Sequence, residues 1–390
     1  MMAGPVRQPI DIPSLEQYIE KHVSEIDSPL DVKQFGFGQS NPTYLLTTRT
    51  GTRFVLRKKP PGKLLSKTAH QVEREYRILH ALRDTDVPVP RVYALCEDAA
   101  VIGTAFYIME FLDGRFITDP LMPGVAARDR KELWRSAVET LVKLHTLDYN
   151  TLGLSDLGKS SGFYTRQIKT FSNISRSQAL VVDVESKEAI GPLPHLEELS
   201  TFFARNQPTD RTSIVHGDYK IDNIVFHKTE PRVIGVLDWE MATLGHPLSD
   251  VVSLVSPFLP HTWGVKGAAS SLNPELPASA KERAKSGFPT LEECVSWYTG
   301  GGGYDVRTDL KWGRAFAGFR GAVIMQGIAA RYALRQASSA SAKEFGEMAW
   351  PTAENVWGLV QELQGQENQD EETQAGEDET RGSRQAKGKL

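Results

Sequence analysis

The chain has 390 residues, 40% hydrophobic and 24% charged, with a formal net charge of -4. That length supports one large or two medium domains with real cores, and the slight acidity argues against a dedicated nucleic-acid binder. Two cysteines, Cys96 and Cys294, stand far apart. They read as buried thiols of a reducing compartment, which excludes a disulfide or zinc framework. The apolar stretch from Val101 to Leu112 is too short to cross a bilayer, and the N-terminus does not read as a secretory signal. A cytoplasmic protein is expected. The final Gly388-Lys389-Leu390 only loosely matches a peroxisomal Ser-Lys-Leu ending.

Residues 1–30 form an N-terminal helix and arm, with Ser14 and Gln17 predicted as a capping box opening a helix through about Val23. Strands are expected over Val32 to Phe37, Pro42 to Thr48 and Thr52 to Lys58, the last two joined through Arg49-Thr50-Gly51. From Thr68 to Arg83, Val72, Tyr76, Leu79 and Leu82 recur at helical spacing. Val87-Pro88-Val89-Pro90 ends that helix, and Phe106 to Met109 reads as a buried strand. Helical patterns return at Arg128 to His145 and Asp309 to Ala337. The expected fold is α+β and bilobal: a small β-rich N-lobe over 31–112 and a larger, mainly helical C-lobe over 113–363. Residues 364–390, rich in Glu, Asp, Gln and Gly, read as a disordered acidic tail.

The chemistry concentrates in His216-Gly217-Asp218-Tyr219-Lys220-Ile221-Asp222-Asn223 and in Asp238, which ends the apolar run Val233 to Leu237. Phosphoryl transfer from Mg-ATP to a hydroxyl needs alignment and counter-charge more than covalent help. Asp218 would orient the hydroxyl proton, Asn223 and Asp238 would present hard oxygen ligands to Mg2+, and Lys220 would reach the transferring phosphate. His216 fits an architectural role in the loop, and Asp250 a brace from the following helix. An H-x-D-x-x-x-x-N string alone is weak, because Asp and Asn in turns usually bond their own backbone. Strands before and after the loop, and a nucleotide site upstream, give it context.

That nucleotide site begins at Phe35-Gly36-Phe37-Gly38-Gln39-Ser40-Asn41, where Gly36, Gly38, Ser40 and Asn41 would approach phosphates; an ordinary hairpin turn has the same composition. Val55 and Arg57 share one strand face, Val55 for adenine and Arg57 for the α- and β-phosphates. Glu75 is the expected ion-pair partner of Arg57, the alternative being a surface pair of little consequence. Glu110 and Phe111 stand where backbone groups would meet the adenine edge.

These residues resemble the aminoglycoside phosphotransferase family, a protein-kinase-like fold that phosphorylates small hydroxylated molecules. Phe-Val-Leu-Arg, Val-Glu-Arg-Glu, His-Gly-Asp-x-x-x-x-Asn and Leu-Asp-Trp-Glu occur in the family's order between about Phe35 and Arg335. His-Gly-Asp, Asp-Trp-Glu and the absence of an Ala-Pro-Glu signature set it apart from protein kinases. Phe54 to Leu65, Arg166-Gln167-Ile168, Thr243 to Leu248 and Gln326-Gly327-Ile328 are similar to the kinase-like domains associated with acyl-CoA dehydrogenases of the type 10 and 11 group. The resemblance implies ATP and Mg2+ as cofactors and a hydroxyacyl-CoA as substrate. It also implies a separate acyl-CoA dehydrogenase as pathway partner, since this sequence carries no dehydrogenase portion. Arg166, in a basic and aromatic stretch with Lys159, Lys169 and Arg176, and Gln326 and Arg331 on the late helix are candidate substrate residues; a solvated helix face and ordinary helix packing are the alternatives. Other readings are a kinase for an aminoglycoside, a choline-like alcohol or homoserine, a protein kinase, and a nucleotide-binding pseudokinase or scaffold.

Overall fold

Strand alternation sorts the N-terminal residues onto two faces, and that sorting makes both a core and a cavity wall. The computed structural model describes residues 3–36, 41–60, 71–259, 285–337, 339 and 341–365. An antiparallel six-stranded sheet has the order β1-β2-β3-β4-β6-β5. Its strands are β1 (Ala3–Gly4), β2 (Leu30–Phe35), β3 (Thr43–Thr48), β4 (Arg53–Lys58), β5 (Val92–Cys96) and β6 (Phe106–Glu110). On one face Tyr44, Leu46, Phe54, Leu56, Phe106 and Ile108 pack with Leu15 and Ile19 of the helix Ile12–His22. Each such aliphatic side chain contributes about 1.5–3 kcal/mol when fully buried. On the other face Val55 pairs with Met109, and Arg57 with Tyr107. Lys58 takes the first face, as the alternation requires, and its buried ammonium donates to the Ile102 carbonyl at 3.1 Å.

The first helix corrects one expectation. Asp11, not Ser14, is the cap: its carboxylate accepts from the Ser14 N–H at 3.0 Å. Asp11 is followed by Pro13 in the first turn, where a missing N–H costs nothing. The helix Val72–Leu82 buries Val72, Ile78, Leu79 and Leu82, and with them Glu75; it packs against β5 and β6. The expected start of this helix at Thr68 lies outside the described residues, as does the expected tail beyond 365.

Two further small sheets follow. β7 (Arg115–Phe116), β9 (Ile224–Phe226) and β10 (Val233–Val236) form a three-stranded antiparallel sheet in the order β10-β9-β7. β8 (Ser213–Val215) pairs with β11 (Thr243–Gly245). The helix Ala127–Thr146 packs against β8 and β10 and buries Leu133, Trp134, Val138 and Leu141.

The chain divides into two compact units built from discontinuous segments. The first holds Met1–Ser160, Arg211–Val255 and Glu275–Tyr304, and so contains all three sheets formed by the described residues. The expected lobe boundary at 112/113 falls inside it. The second holds Ser161–Asp210, Ser256–Pro274 and Asp305–Leu390. Its described part is helical, centred on Leu310–Ala333, which packs on Phe163–Ala179 and Ala342–Glu347. Tyr164, Phe203, Trp312, Phe316 and Phe319 form an aromatic cluster there, with ring centroids 4.6 to 6.0 Å apart. Among the described residues no helix is long and apolar enough to cross a membrane.

Candidate active site

The loop between β8 and β9 is held from beneath by one buried carboxylate. Asp250 accepts the His216 N–H at 2.6 Å and the Gly217 N–H at 2.9 Å, and His145 Nε2 lies 3.3 Å away. Gly217 has φ +84, and a Cβ there would come within 2.7 Å of the Met241 carbonyl oxygen, so no larger residue fits. His216 is fully buried; its Nε2 donates to the Leu237 carbonyl at 2.9 Å and its Nδ1 accepts from the Asp218 N–H at 3.3 Å. Burial pushes its pKa down, outweighing the nearby carboxylates, and the two bonds match the neutral ring. His216 thus ties the loop to the strand that delivers Asp238.

Above this base, Asn223 Nδ2 donates to both the carbonyl and the Oδ2 of Asp218, each at 2.9 Å. Lys220 Nζ lies 3.2 Å from Asp218 Oδ2 and 3.5 Å from Asp222 Oδ2. Burial alone would lower the lysine pKa, but Asp218 and Asp222 outweigh it and raise it, so the ammonium stays charged.

Facing the loop, Arg57 binds three carboxylates. Its Nη2 donates to Asp238 Oδ1 at 2.8 Å and lies 3.5 Å from Glu240 Oε2. Its Nε is 3.3 Å from Glu75 Oε2, without the alignment of a hydrogen bond. Glu75, 1% exposed, also accepts from Asn41 Nδ2 and from the Tyr107 hydroxyl, both at 2.9 Å. Burial pushes the Glu75 pKa up to about 7, against the pull of Arg57 and Tyr107. For Arg57, burial would lower the pKa, but Glu75 and Asp238 reverse this and hold the guanidinium charged.

Asn223 and Asp238 line one cavity of about 570 Å3 with Val55, Arg57, Glu110 and Phe111, while Asp218 stands one hydrogen bond from Asn223. Met109, Leu237 and Leu79 add apolar wall. Glu110 accepts the Arg91 N–H at 3.1 Å, and Phe111 lies under the Arg53 guanidinium at 4.2 Å. Asn41 is buried against Glu75 rather than open to the cavity. Gly36 is exposed with open space where a Cβ would be; Gly38 and Ser40 lie outside the described residues.

The substrate candidates belong to the second unit. Gln326 is fully buried, its Oε1 accepting from Ser175 Oγ at 2.7 Å and its Nε2 donating to the Gly191 carbonyl at 3.0 Å, which makes it a packing residue. Arg166 donates to the Ser161 carbonyl at the start of its helix, and Arg331 is exposed in the last turn of Leu310–Ala333. Sequence reasoning missed Tyr107 and Glu240. A tyrosine in a buried strand needs a partner for its hydroxyl, which was the available signal for the first.

Comparison with known proteins places the chain in a family. The family profile described as "Phosphotransferase enzyme family" matches residues 31–283. Acyl-CoA dehydrogenase family member 11 of Rattus norvegicus is 38% identical over 352 residues, covering 88% of this chain and 42% of that protein. The chain therefore spans about two fifths of that relative's length. A crystal structure from Ralstonia eutropha carrying the aminoglycoside phosphotransferase name superposes with TM-score 0.75 at 36% identity, covering 91% of this chain and 99% of its own. The streptomycin–ATP ternary complex of APH(2")-IIa shares the fold, with TM-score 0.55 at 15% identity over 87% of this chain and 99% of its own. The chain belongs to the phosphotransferase enzyme family and is a small-molecule phosphotransferase of protein-kinase-like fold.

Proposed function

We propose that the chain uses ATP and Mg2+ to phosphorylate a hydroxyl of a small molecule, with Asp218 acting at the acceptor. The observation that carries this reading is the meeting of Asn223 and Asp238 in one cavity, with Asp218 bonded to Asn223 at 2.9 Å. Asp218 Oδ2, oriented by Asn223 and Lys220, would accept the hydroxyl proton as the nucleophile turns toward the phosphorus. Lys220 would neutralise charge on the transferring group. Val55, Met109 and Leu237 would clasp the base, and Arg57 would meet the phosphates.

The donor set fits Mg2+. Three carboxylates, Glu75, Asp238 and Glu240, surround the single guanidinium of Arg57, leaving an excess of negative charge beside the cavity. Asp238 and Asn223 would hold the ion through hard oxygens. Among the described residues no group of three His, Cys, Asp or Glu side chains forms a metal cage. Mg2+ habitually enters with phosphates and is completed by one or two protein ligands. When bound, the metal would supply positive charge against that developing on the transferring phosphoryl group.

A hydroxyacyl-CoA is the acceptor we favour, on the similarity to the rat acyl-CoA dehydrogenase family member. On this reading an acyl-CoA dehydrogenase would act in the same pathway. The test is ADP release with 3- and 4-hydroxyacyl-CoAs against streptomycin, choline and homoserine, each with Mg2+ and with chelator. Turnover confined to hydroxyacyl-CoAs and abolished by chelation is expected. Turnover only with another alcohol removes the CoA assignment, and no metal-dependent ADP release with any acceptor removes the catalytic one.

A further inference from the structure

Asp238 serves two partners that exclude each other. Its Oδ1 accepts from Arg57 Nη2 at 2.8 Å, and the reading above asks the same carboxylate to hold a divalent cation. A guanidinium and a metal ion on one carboxylate repel, so Arg57 Nη2 needs another acceptor even as the rest of the guanidinium meets the phosphates. The same Nη2 lies 3.5 Å from Glu240 Oε2, a loose contact with room to tighten. Glu240 also stands 3.5 Å from Asn41 Nδ2, the group bonded to Glu75.

The carboxylate of Glu240 is carried on a firm support. It sits in the one-turn segment Trp239–Met241, directly after Asp238. The Trp239 indole donates to the Val236 carbonyl at 2.9 Å and packs on the His216 ring at 4.7 Å. The helix Val72–Leu82, which brings Glu75, packs against the same turn. Arg57 and Glu240 are 12% and 21% exposed, so their attraction is less screened than that of a surface pair.

We propose that Glu240 is a positioning residue, a second seat that takes the Arg57 guanidinium when Asp238 turns to the metal. Arg57 shifts its Nη2 from Asp238 to Glu240 while its Nε stays beside Glu75. Without Glu240 the guanidinium clings to Asp238 and competes with the cation. The proposal rests on the Mg-nucleotide reading of the cavity.

Calorimetric titration of a non-hydrolysable ATP analogue into the full chain, across a series of Mg2+ concentrations, tests it without any acceptor. In Glu240→Ala the Mg2+ concentration for half-maximal nucleotide binding should rise about tenfold, the loss of one charge-assisted contact. Nucleotide affinity at saturating Mg2+ should stay within about twofold of the wild type on the same scale. Glu240→Gln keeps an oxygen acceptor without the charge and should shift the metal requirement by less. An unchanged metal requirement in both variants overturns the proposal, as does an equal loss of affinity at every Mg2+ concentration. A wild-type chain that binds no Mg-nucleotide overturns the reading beneath it instead.

Discussion

Asp250 and Asp238 belong to the same sequence segment and do opposite work. Asp250 is fully buried, and its oxygens are engaged by two backbone N–H groups and His145. Asp238 is about one third exposed, is bonded to one guanidinium and lines the cavity. The two carboxylates divide the labour of the site. A carboxylate saturated by its own chain fixes geometry, whereas one left partly unsatisfied at a cavity wall is available to a ligand.

The two regions should respond differently to substitution. Asp218→Ala, on the loop that Asp250 supports, should lower turnover about a thousandfold while nucleotide affinity holds. Unchanged turnover in a folded variant would remove Asp218 from the chemistry. Asp238→Ala should lose metal-supported turnover just as fully, yet unfold in urea within about 1 kcal/mol of the wild type, because the Arg57 guanidinium keeps Glu75 and Glu240 as partners. Asp250→Ala should instead lose about 3 kcal/mol of stability, since two buried N–H groups lose their acceptor. A urea midpoint equal to that of Asp238→Ala would dissolve the distinction.

Acidity sharpens it further. The Glu75 carboxyl, pushed up to about 7 in the fold, has an ordinary value of 4.5. Between those values the folded chain keeps a proton that the unfolded chain has released. Stability from this group is complete below about pH 4.5 and is lost as pH rises through about 7, by up to about 3 kcal/mol. His216 acts with the opposite sign: burial holds its pKa below the ordinary imidazole range, so its contribution is present above the unfolded value and lost on acidification. Glu75→Gln should therefore flatten the pH dependence of the urea midpoint on the network side and leave the histidine limb standing. A wild-type slope retained in Glu75→Gln would refute the assignment. Tyr107→Phe, which deletes one donor to Glu75, should cost about 1 kcal/mol in the same measurement.

Much of this was legible in the chain. Period-two alternation placed Val55 and Arg57 on one face and Lys58 on the other, because strand geometry is local. The spacing from Asp218 to Asn223 was readable for the same reason: one short loop returns the amide to the acid. Partner choice across the fold was not. Asn41 suited a phosphate loop by composition, yet Glu75, distant in sequence, claims its amide. Gln326 looked available on a late helix until Ser175 and Gly191 occupied both its ends. Ser14 lost the cap to Asp11 because a proline follows Asp11 in the first turn. The two units, each stitched from separate segments, have no signature in local pattern at all.

The backbone of Asp238 is itself distorted. Its φ of 67 and ψ of 59 lie in the left-handed region, which glycine enters freely and other residues enter with strain. The carboxylate is therefore aimed by a twist that the isolated peptide resists, and its direction is borrowed from the surrounding sheet and from the histidine anchored just behind it. Loosening that scaffold would let the main chain relax and swing the acid away from the cavity. If Asp238 holds the nucleotide's metal as proposed, such damage should weaken cation binding in a molecule that still looks folded.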